Sequence, residues 1–358
     1  SGAGIAFLLS KEIWQYFQKQ IPYEKLETLI ELATIGIVAD IIPLLGVNRQ
    51  IVKHGLKLLG KTKRPGLKAL LSEAQINSET ELSTYHIGFI IAPRLNASGR
   101  LEHSLNSLRL LCTRDDNKAI QLAITVGSIN RERQDLTNNH VKKAIEEISQ
   151  IPNLPKLLIT VSKDYNPGII GLIAGKLTEH FHRPSIAIAI LDGVAKGSAR
   201  SVNGVDITAL LRQFEAEFLE LGGHPMAAGF GLTTQKLTQL TKKLQDFAQE
   251  AIKDQTLVPT LFIDTELNFS DLTIDLFKQI QRFEPFGLGN SKPVFCMSKV
   301  IISSIQLMGK NNQHSKLMLK MPEANTYLEA ISFNATDAIR SLKAGEIINL
   351  AFNLDLNQ

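Results

Sequence analysis

Residues 155–202 read PKLLITVSKDYNPGIIGLIAGKLTEHFHRPSIAIAILDGVAKGSARSV, and this stretch decides the fold class of the chain. The segments KLLITVS and PSIAIAIL are short and rich in β-branched residues, which is typical of buried strands. Between them, NPGIIGLIAGKLTEHF predicts a helix that opens on Pro-Gly, and AKGSARSV predicts a further extended segment. Strands that alternate with helices predict a compact α/β domain.

Two more helices are expected downstream. DITALLRQFEAEFLEL, residues 206–221, predicts a helix with Asp206 as its N-cap. TTQKLTQLTKKLQDFAQEAI, residues 233–252, places its apolar residues on one face at helical spacing. The α/β domain is therefore expected to extend from about residue 155 to about residue 255.

The composition changes again after Pro259. One helix, LTIDLFKQIQRF, is expected among five short segments that predict strands: TLFIDTEL, VFCMSKVIISSIQLM, SKLMLKM, YLEAISF and IINLAFNLDL. Short strands at this spacing indicate a small barrel or sandwich. Because Gln358 directly follows a strand, we expect this domain to be truncated.

The first 150 residues predict an almost wholly helical region. NRQIVKHGLKLLG predicts a helix with Asn48 as its N-cap and Gly60 as its stop. A long helix over residues 117–151 is polar on one side, which suits a connector between domains. The chain begins without methionine inside an apolar helical pattern, so we expect Ser1 to be a cut point within a longer protein.

Composition narrows the protein class only a little. The chain has 358 residues, 44% of them hydrophobic, and a formal net charge of +4, which suits a globular protein of two or three domains. This charge is compatible with a nucleic-acid partner without arguing for one. No apolar run approaches the roughly 18 residues of a membrane span, so no membrane association is expected. Cys112 and Cys296 predict buried free thiols in a reducing compartment, and a disulfide between them is disfavoured.

The segment ELGGHPMAAGFGL, residues 220–232, leaves one imidazole, His224, among four glycines and two alanines. A structural explanation accounts for Gly222, which would form the left-handed cap of the preceding helix. The other explanation is that the small residues, with Gly222 and Gly223, let a polyanionic backbone approach His224 and exposed N–H groups. Residue types alone leave both explanations open.

Two further segments have the residue types of an anion site. In AKGSARSV, Ser198 and Arg200 alternate with small residues, so on a strand they share one face and suit a terminal phosphate. In APRLNASGRL, a helix cap at Asn96 or Ser98 accounts for the polar residues. It does not account for Arg94 and Arg100 beside a proline and a glycine.

Asp40 is a lone carboxylate between the apolar segments IGIVA and IIPLL. Burying it is costly unless it is paired or bound to a metal ion. Its flanks leave helix capping and metal ligation equally open.

Taken in order, these segments resemble a known family. ATIGIVADIIPLLGVNRQIVKHGL, APRLNASGRL, NPGIIGLIAGKL, KGSARSV, GGHPMAAGF and FEPFGLGNSKPVF are similar to segments of the RecJ family of single-strand-specific DNA exonucleases. This family belongs to the DHH phosphoesterase superfamily, and the resemblance runs from Ser1 to Gln358.

The resemblance implies an α/β multidomain protein. Residues 1–130 would be the C-terminal part of the DHH catalytic domain and 131–154 a connecting helix. Residues 155–255 would be the α/β DHH-associated domain that binds substrate. Residues 259–358 would be an OB-like nucleic-acid-binding barrel that lacks its last strands.

The resemblance also implies roles for single residues. Asp40 would be a ligand in a two-metal site for Mn²⁺ or Mg²⁺, and His224 would face the metals as a catalytic residue. Ser198 and Arg200 would hold the 5′ end of the strand. The remaining residues expected to bind substrate are Arg94, Asn96, Arg100, Gly222 and Gly223.

The chain departs from the family pattern in one important respect. The Asp-x-Asp pair, a further aspartate and the Asp-His-His triplet have no counterpart here, and no two of the eight histidines are adjacent. Most metal ligands are therefore expected upstream of Ser1, and residues 1–358 alone are expected to be inactive. Asn166 also stands where family members often carry a histidine, which weakens any inference about that position.

The function expected of the complete protein is 5′-to-3′ digestion of single-stranded DNA to mononucleotides, in DNA repair and recombination. The resemblance further implies a cytoplasmic monomer that works with single-strand-binding protein and a helicase. Two alternatives stay open: a DHH phosphoesterase for very short oligonucleotides or cyclic dinucleotides, and a DNA-binding relative without catalysis.

Overall fold

The structure is a computed structural model that describes residues 1–17, 26–77, 79–102, 104–309, 311–320 and 326–356. The chain divides into two compact units. The first contains Ser1–Asp40 and His54–Thr260, and the second contains Ile41–Lys53 and Leu261–Gln358. None of the helices in the described ranges combines the length and apolar character needed to cross a bilayer.

The N-terminal part of the first unit is helical, as predicted. Its helices are Gly2–Tyr16, Leu29–Ala39, Pro65–Glu73, a π-helical segment His86–Ile91, Ala92–Leu101 and Leu105–Cys112. They pack around a buried core that includes Ile35, Leu59, Leu70, Ile87 and Leu110. The predicted long helix is present as Asp116–Ser149, and the Asp115 side chain caps it by accepting from the backbone N–H of Lys118.

Two local predictions in this region are wrong. The helix Gly46–Leu59 begins two residues before Asn48, after a left-handed turn at Gly46 with φ of +49°. Asn48 therefore lies inside the helix, where its side-chain amide donates to the carbonyl of Pro43. Cys112 and Cys296 are both free, but Cys112, the last residue of its helix, is exposed and Cys296 is half-buried, so neither thiol is fully buried as predicted.

A five-stranded sheet forms the centre of the α/β part of the first unit. Its strands are β1 (Leu158–Ser162), β2 (Ser185–Leu191), β3 (Val194–Arg200), β4 (Glu220–His224) and β5 (Ala227–Thr233), in the order β1-β2-β3-β5-β4. The β1–β2 pair is parallel and is connected by the helix Ile170–Phe181, whereas the other pairs are antiparallel.

The helix predicted over residues 206–221 is much shorter in the structure. Asp206 caps it as predicted, but the helix ends at Arg212, a 3₁₀ turn follows at Glu215–Glu217, and β4 begins at Glu220. Gly222 is therefore a strand residue paired with Gly229, and its predicted role as a helix cap is wrong. Pairing with β5 provides hydrogen bonds for the backbone N–H and C=O groups of this segment. This pairing overrides the helical preference of its Glu, Ala and Leu residues.

The two faces of this sheet are covered to different extents. One face packs against the helices Ile207–Arg212 and Thr234–Ala251 over a core that includes Ile186, Ala199, Phe230 and Leu240. On the other face, Ile170–Phe181 and the end of the long helix cover β1 and β2. The β4–β5 half of that second face remains exposed, which leaves room for a site.

The second unit contains the predicted small β domain. Its strands are β6 (Thr265–Glu266), β7 (Phe295–Met308), β8 (His314–Lys320), β9 (Tyr327–Ser332) and β10 (Ile347–Phe352), and its helices are Ile274–Gln281 and Asp337–Arg340. The strand predicted over TLFIDTEL is reduced to the two residues of β6.

The sheet of the second unit is arranged around β7. The order is β10-β7-β8-β9, and β6 pairs in parallel with the start of β7. Lys299, at φ of +56°, divides β7 into a first part paired with β10 and a second part paired mainly with β8. Residues 41–53 also belong to this unit, because Leu44 donates to the carbonyl of Leu288 and Arg49 donates to that of Phe283.

We predict that two glycines on opposite faces of the first sheet differ in their effect on stability. A methyl group at Gly197 would overlap the buried ring of Phe230, so Gly197→Ala should lower the free energy of unfolding by about 1–3 kcal/mol. No atom lies within 4 Å of a methyl group at Gly222, so Gly222→Ala should change it by less than about 0.5 kcal/mol. Thermal and urea unfolding measure both effects, and equal losses would contradict the assignment of the two faces.

Candidate nucleic-acid interface

A cleft of about 600 Å³ lies on the exposed half of the first sheet. Its walls come from β3, β4, β5, the turn before helix Ile170–Phe181 and the helix Ala92–Leu101. The lining residues are Arg100, Pro167, Gly168, Ile170, Gly171, Lys196, Gly197, Ser198, Arg200, Glu220, Leu221, Gly222, Gly229 and Phe230.

The strand register places the predicted site residues on one face. Ser198 pairs with Gly229, and Gly229 pairs with Gly222, so these three residues form a row across β3, β5 and β4. In the same way, Arg200 and His224 both pair with Ala227. His224 thus lies two strands from Arg200, about 10 Å away at the usual strand spacing, and its side chain is exposed.

The glycines of this region have different roles. Gly222 and Gly229 have open space where a side chain would be, so their absence of side chains enlarges the cleft. A methyl group at Gly223 would overlap the backbone of Ala227 and Ala228. Gly223 is therefore required for close packing of the hairpin, whereas Gly222 and Gly229 leave the sheet surface accessible to a ligand.

Arg200 is held at the start of helix Ile170–Phe181. Its Nη1 donates to Ser198 Oγ at 3.1 Å and to the carbonyl of Ala199 at 2.8 Å. A methyl group at Gly171 would lie 2.8 Å from Arg200 Nη2, so only glycine allows the guanidinium so close to the helix. Because the first N–H groups of a helix lack intrahelical partners, a hydroxyl, a guanidinium and a helix N-terminus converge here on space suited to an anion.

Two more arginines add positive charge beside Arg200. Arg100 donates to the carbonyl of Gly168 at 3.2 Å, and Arg133 lies on the long helix with its Nε buried and without a hydrogen-bond partner. Burial lowers the pKa of all three guanidinium groups, and the charge of Arg100 lowers the pKa of Arg133 and Arg200 further. Within the described ranges none of the three pairs with a carboxylate, so their charge is left for a ligand to balance.

Arg133 was not among the residues predicted to form the site. Its position on the long helix could have identified it, because Arg133 lies on the side of the helix that faces the protein. The buried residues on that side include Val126, Asn130, Thr137, Ala144 and Ile148. An arginine in such a stripe requires a partner, and no group in the described part of the chain supplies one to its Nε.

The structure places Arg94 in the helical core and not in the cleft lining. Its Nε donates to Glu73 Oε2 at 2.7 Å, and Arg131 binds the other oxygen of the same carboxylate. Glu73 is nearly buried, so this pair stabilises the packing of Pro65–Glu73 against Ala92–Leu101 and the long helix. A DNA contact by Arg94 stays a prediction.

Asn96 lies in the middle of the helix Ala92–Leu101 with its side chain exposed, so the alternative that Asn96 or Ser98 caps a helix is wrong. Asn96 precedes Arg100 by one helical turn and shares its face. It is therefore positioned beside the cleft without lining it.

Asp40 is exposed at the C-terminal end of helix Leu29–Ala39, so it cannot serve as the N-cap of that helix. A carboxylate is electrostatically disfavoured at a helix C-terminus. The next residue, Ile41, has a left-handed backbone at φ of +52°, which is costly for a β-branched side chain. Two unfavourable features at neighbouring residues favour a functional role over a structural one.

The donor groups around Asp40 do not by themselves fit a two-metal site. Among the described residues, no group of three or more His, Cys, Asp or Glu side chains could hold a metal ion. Asp40 supplies one carboxylate, whereas Mn²⁺ and Mg²⁺ prefer about six oxygen ligands.

The different surroundings of two half-buried arginines predict opposite effects on stability. Arg133→Met keeps the apolar stem and removes an unbalanced charge with a buried, unpaired Nε, so it should raise the melting temperature. Arg94→Met leaves the nearly buried Glu73 with one exposed partner, so it should lower the free energy of unfolding by roughly 1–3 kcal/mol. Differential scanning calorimetry at low ionic strength tests both, and a destabilised Arg133→Met variant would show that the charge is balanced within the protein.

Comparison with known proteins identifies two domain families. The DHHA1 domain matches residues 154–250, and the RecJ OB domain matches residues 263–358. A crystal structure of RecJ in complex with Mg²⁺ from Thermus thermophilus superposes with a TM-score of 0.85 at 26% sequence identity. That match covers 100% of this chain and 53% of the other.

Two curated relatives match the whole chain. The single-stranded-DNA-specific exonuclease RecJ of Bacillus subtilis strain 168 is 32% identical over 363 residues, which are 100% of this chain and 44% of the relative. The enzyme of the same name from Escherichia coli K12 is 28% identical over 375 residues, again 100% of this chain and 64% of the relative. This chain thus spans less than two thirds of the length of either relative.

Proposed function

The chain is a homologue of the RecJ exonucleases along its whole length, and from this premise we propose that it is the substrate-binding part of a single-stranded-DNA-specific exonuclease. In a protein of the length of these relatives, it would release mononucleotides from the 5′ end by hydrolysis of phosphodiester bonds. We assign the 5′-terminal phosphate to the cleft at Ser198, Arg200 and the start of helix Ile170–Phe181.

The observation that carries this proposal is that Arg100 and Arg200 line the cleft beside Ser198 without a carboxylate partner among the described residues, with Arg133 adding its charge next to Arg100. A terminal phosphate carries up to two negative charges and three acceptor oxygens, which suit a guanidinium fork, a hydroxyl and helix N–H groups together. An internal phosphodiester carries one negative charge and would balance the cluster less completely. The cleft therefore favours the end of a strand over its middle.

The proposal includes a role for divalent metal ions. RecJ from Thermus thermophilus has been solved in complex with Mg²⁺ and with Mn²⁺. We propose that Asp40 is the one ligand from this chain and that the remaining ligands lie outside residues 1–358. Bound metal would activate water and stabilise negative charge during hydrolysis. His224, on the face of Arg200, would contact the nucleotide that is released.

The proposal assigns the parts of the chain as follows: 1–130 to the catalytic domain, 131–154 to a connecting helix, 155–255 to substrate binding and 259–358 to strand binding. The match of the RecJ OB domain to residues 263–358 favours this assignment over a phosphoesterase for very short oligonucleotides, which would not need a second DNA-binding unit. We also propose that the protein acts as a cytoplasmic monomer in DNA repair and recombination, with single-strand-binding protein and a helicase as partners.

The 5′-phosphate assignment predicts a selective loss of affinity. Arg200→Ala should weaken binding of 5′-phosphorylated single strands by about 1.5–3 kcal/mol, the scale of a hydrogen bond to a charged group, and should affect 5′-hydroxyl strands much less. Fluorescence anisotropy with both oligonucleotides measures the difference.

Arg212→Ala is the matched control, because Arg212 is exposed on a helix that packs on the opposite face of the sheet and the substitution changes the charge equally. Equal losses on both oligonucleotides would mean that Arg200 contacts the backbone without recognising the strand end.

The metal assignment predicts that residues 1–358 alone show no Mn²⁺-dependent digestion of single strands, because the described residues hold no metal-binding cluster. In a protein of the relatives' length, Asp40→Asn should abolish turnover and leave DNA binding and the melting temperature nearly unchanged. Gel-based nuclease assays and thermal melting on the same preparations separate these outcomes.

Asp135→Asn, at an exposed aspartate of the long helix, controls for the loss of one carboxylate. Full activity with a lowered melting temperature in the Asp40→Asn variant would assign Asp40 a structural role. Inactivity of the longer protein before any substitution would instead support the non-catalytic DNA-binding relative.

A further inference from the structure

Two exposed aromatic side chains of the first unit stack on each other. Tyr85 and Phe89 have 59% and 70% of their surface accessible, and their rings stack with centroids 5.1 Å apart and planes 26° from parallel. Side chains four residues apart on a helix are neighbours, so the backbone itself brings the two rings into one stack, and a base can extend that stack on an exposed outer ring face. A ligand with a flat apolar face would remove this aromatic surface from water, which is favourable.

The position of the pair is fixed by neighbouring groups. The His86 ring meets Tyr85 edge-on at 5.9 Å, and His86 Nδ1 accepts from the backbone N–H of Ser83. Because Nδ1 is an acceptor, the neutral ring carries its proton on Nε2. The rings also lie at the start of the π-helical segment His86–Ile91, a geometry that occurs often at functional sites.

The pair belongs to a face that leads to the cleft. Tyr85, Phe89, Pro93, Asn96 and Arg100 follow one another at intervals of three or four residues, which places them along one side of the helical run. Phe89 and Arg100 are eleven residues apart, about 16 Å along a helix. That length corresponds to about five nucleotides of a stacked strand, or fewer when the strand is extended.

The helical segment that carries the two rings also packs near Asp40. A methyl group at Gly88 would lie 3.9 Å from Val38 Cγ1, so the π-helical segment packs on the last turn of the helix that ends before Asp40. A strand bound along this segment would therefore lie in the neighbourhood of the residue to which we assign a metal-binding role.

We propose that Tyr85 and Phe89 form a stacking platform for an unpaired base of the strand whose 5′ end occupies the cleft. The proposal rests on the proposed function, because it takes single-stranded DNA as the ligand. Every base has a flat π face, so such a platform holds a strand without selecting its sequence.

The experiment measures binding of 5′-phosphorylated oligothymidylates to the 358-residue chain by fluorescence anisotropy. Phe89→Ala should weaken binding of a decamer by about tenfold, the order expected for loss of one base–aromatic stack. Phe89→Leu should lose as much affinity for the decamer, because leucine keeps apolar bulk without a flat ring. Phe89→Trp should bind the decamer at least as tightly as the unchanged chain. A dinucleotide is too short to reach Phe89, so its affinity should not change.

Phe17→Ala is the matched control. Tyr16 and Phe17 are also an exposed aromatic pair, but their rings meet at 85°, so they do not form a stack of parallel rings that a base could extend. A decamer with abasic residues beyond its second nucleotide should bind the unchanged chain and Phe89→Ala equally.

Three results would overturn this inference without affecting the proposed function. They are normal decamer binding by Phe89→Ala, normal decamer binding by Phe89→Leu, and a loss of affinity by Phe89→Ala that is the same for the abasic decamer as for the ordinary one. The last two would assign Phe89 to apolar packing, for example against another part of a longer chain. Failure of the unchanged chain and of every variant to bind any single strand would overturn the proposed function and this inference together.

Discussion

The hydrogen-bonded register of β3, β5 and β4 is the constraint on which the site depends. Because side chains alternate along each strand, this register places Ser198, Arg200 and His224 on one face and Ala199 and Phe230 on the other. A shift of one residue would bury the guanidinium of Arg200 in the apolar core and expose Phe230. The core on one face therefore fixes the composition of the cleft on the other, and the glycine pair Gly222–Gly229 keeps that cleft accessible.

Charge is the second constraint, and the protein resolves it in two different ways. Arg94 and Arg131 share the carboxylate of Glu73, and together they stabilise the helical part. No carboxylate among the described residues pairs with Arg100, Arg133 or Arg200, so the repulsion of Arg100 with the other two destabilises the free chain. A bound polyanion would remove this repulsion. Relief of this repulsion would contribute to the free energy of binding, and such a loss of stability in favour of function is common.

Most of the fold follows from the sequence, and the exceptions have identifiable physical causes. The strands of residues 155–202 and the long helix were predictable because their apolar periodicity is strong and local. Residues 213–221 were not, because their helical preference is overridden by pairing with a strand that follows them. At the site, Ser198 and Arg200 could be assigned from alternation along one strand. Arg133 could not, because its partners lie on other elements, and Arg94 resembled a ligand contact until its ion pair with Glu73 was visible.

The arginine cluster alone cannot explain a preference for single strands. Phosphates are present in both duplex and single-stranded DNA, so contacts to the backbone position a strand without distinguishing the two forms. Discrimination requires a group that reads something a duplex hides, and a base face is hidden by its stacked neighbours. In the first unit, the exposed rings of Tyr85 and Phe89 are groups of this kind, and they lie on the helical face that leads to Arg100. Charge at the cleft and flat aromatic surface along the helix are therefore complementary. In the complex that we propose, the first would hold the end of a strand, and the second would accept that strand only when its bases are free.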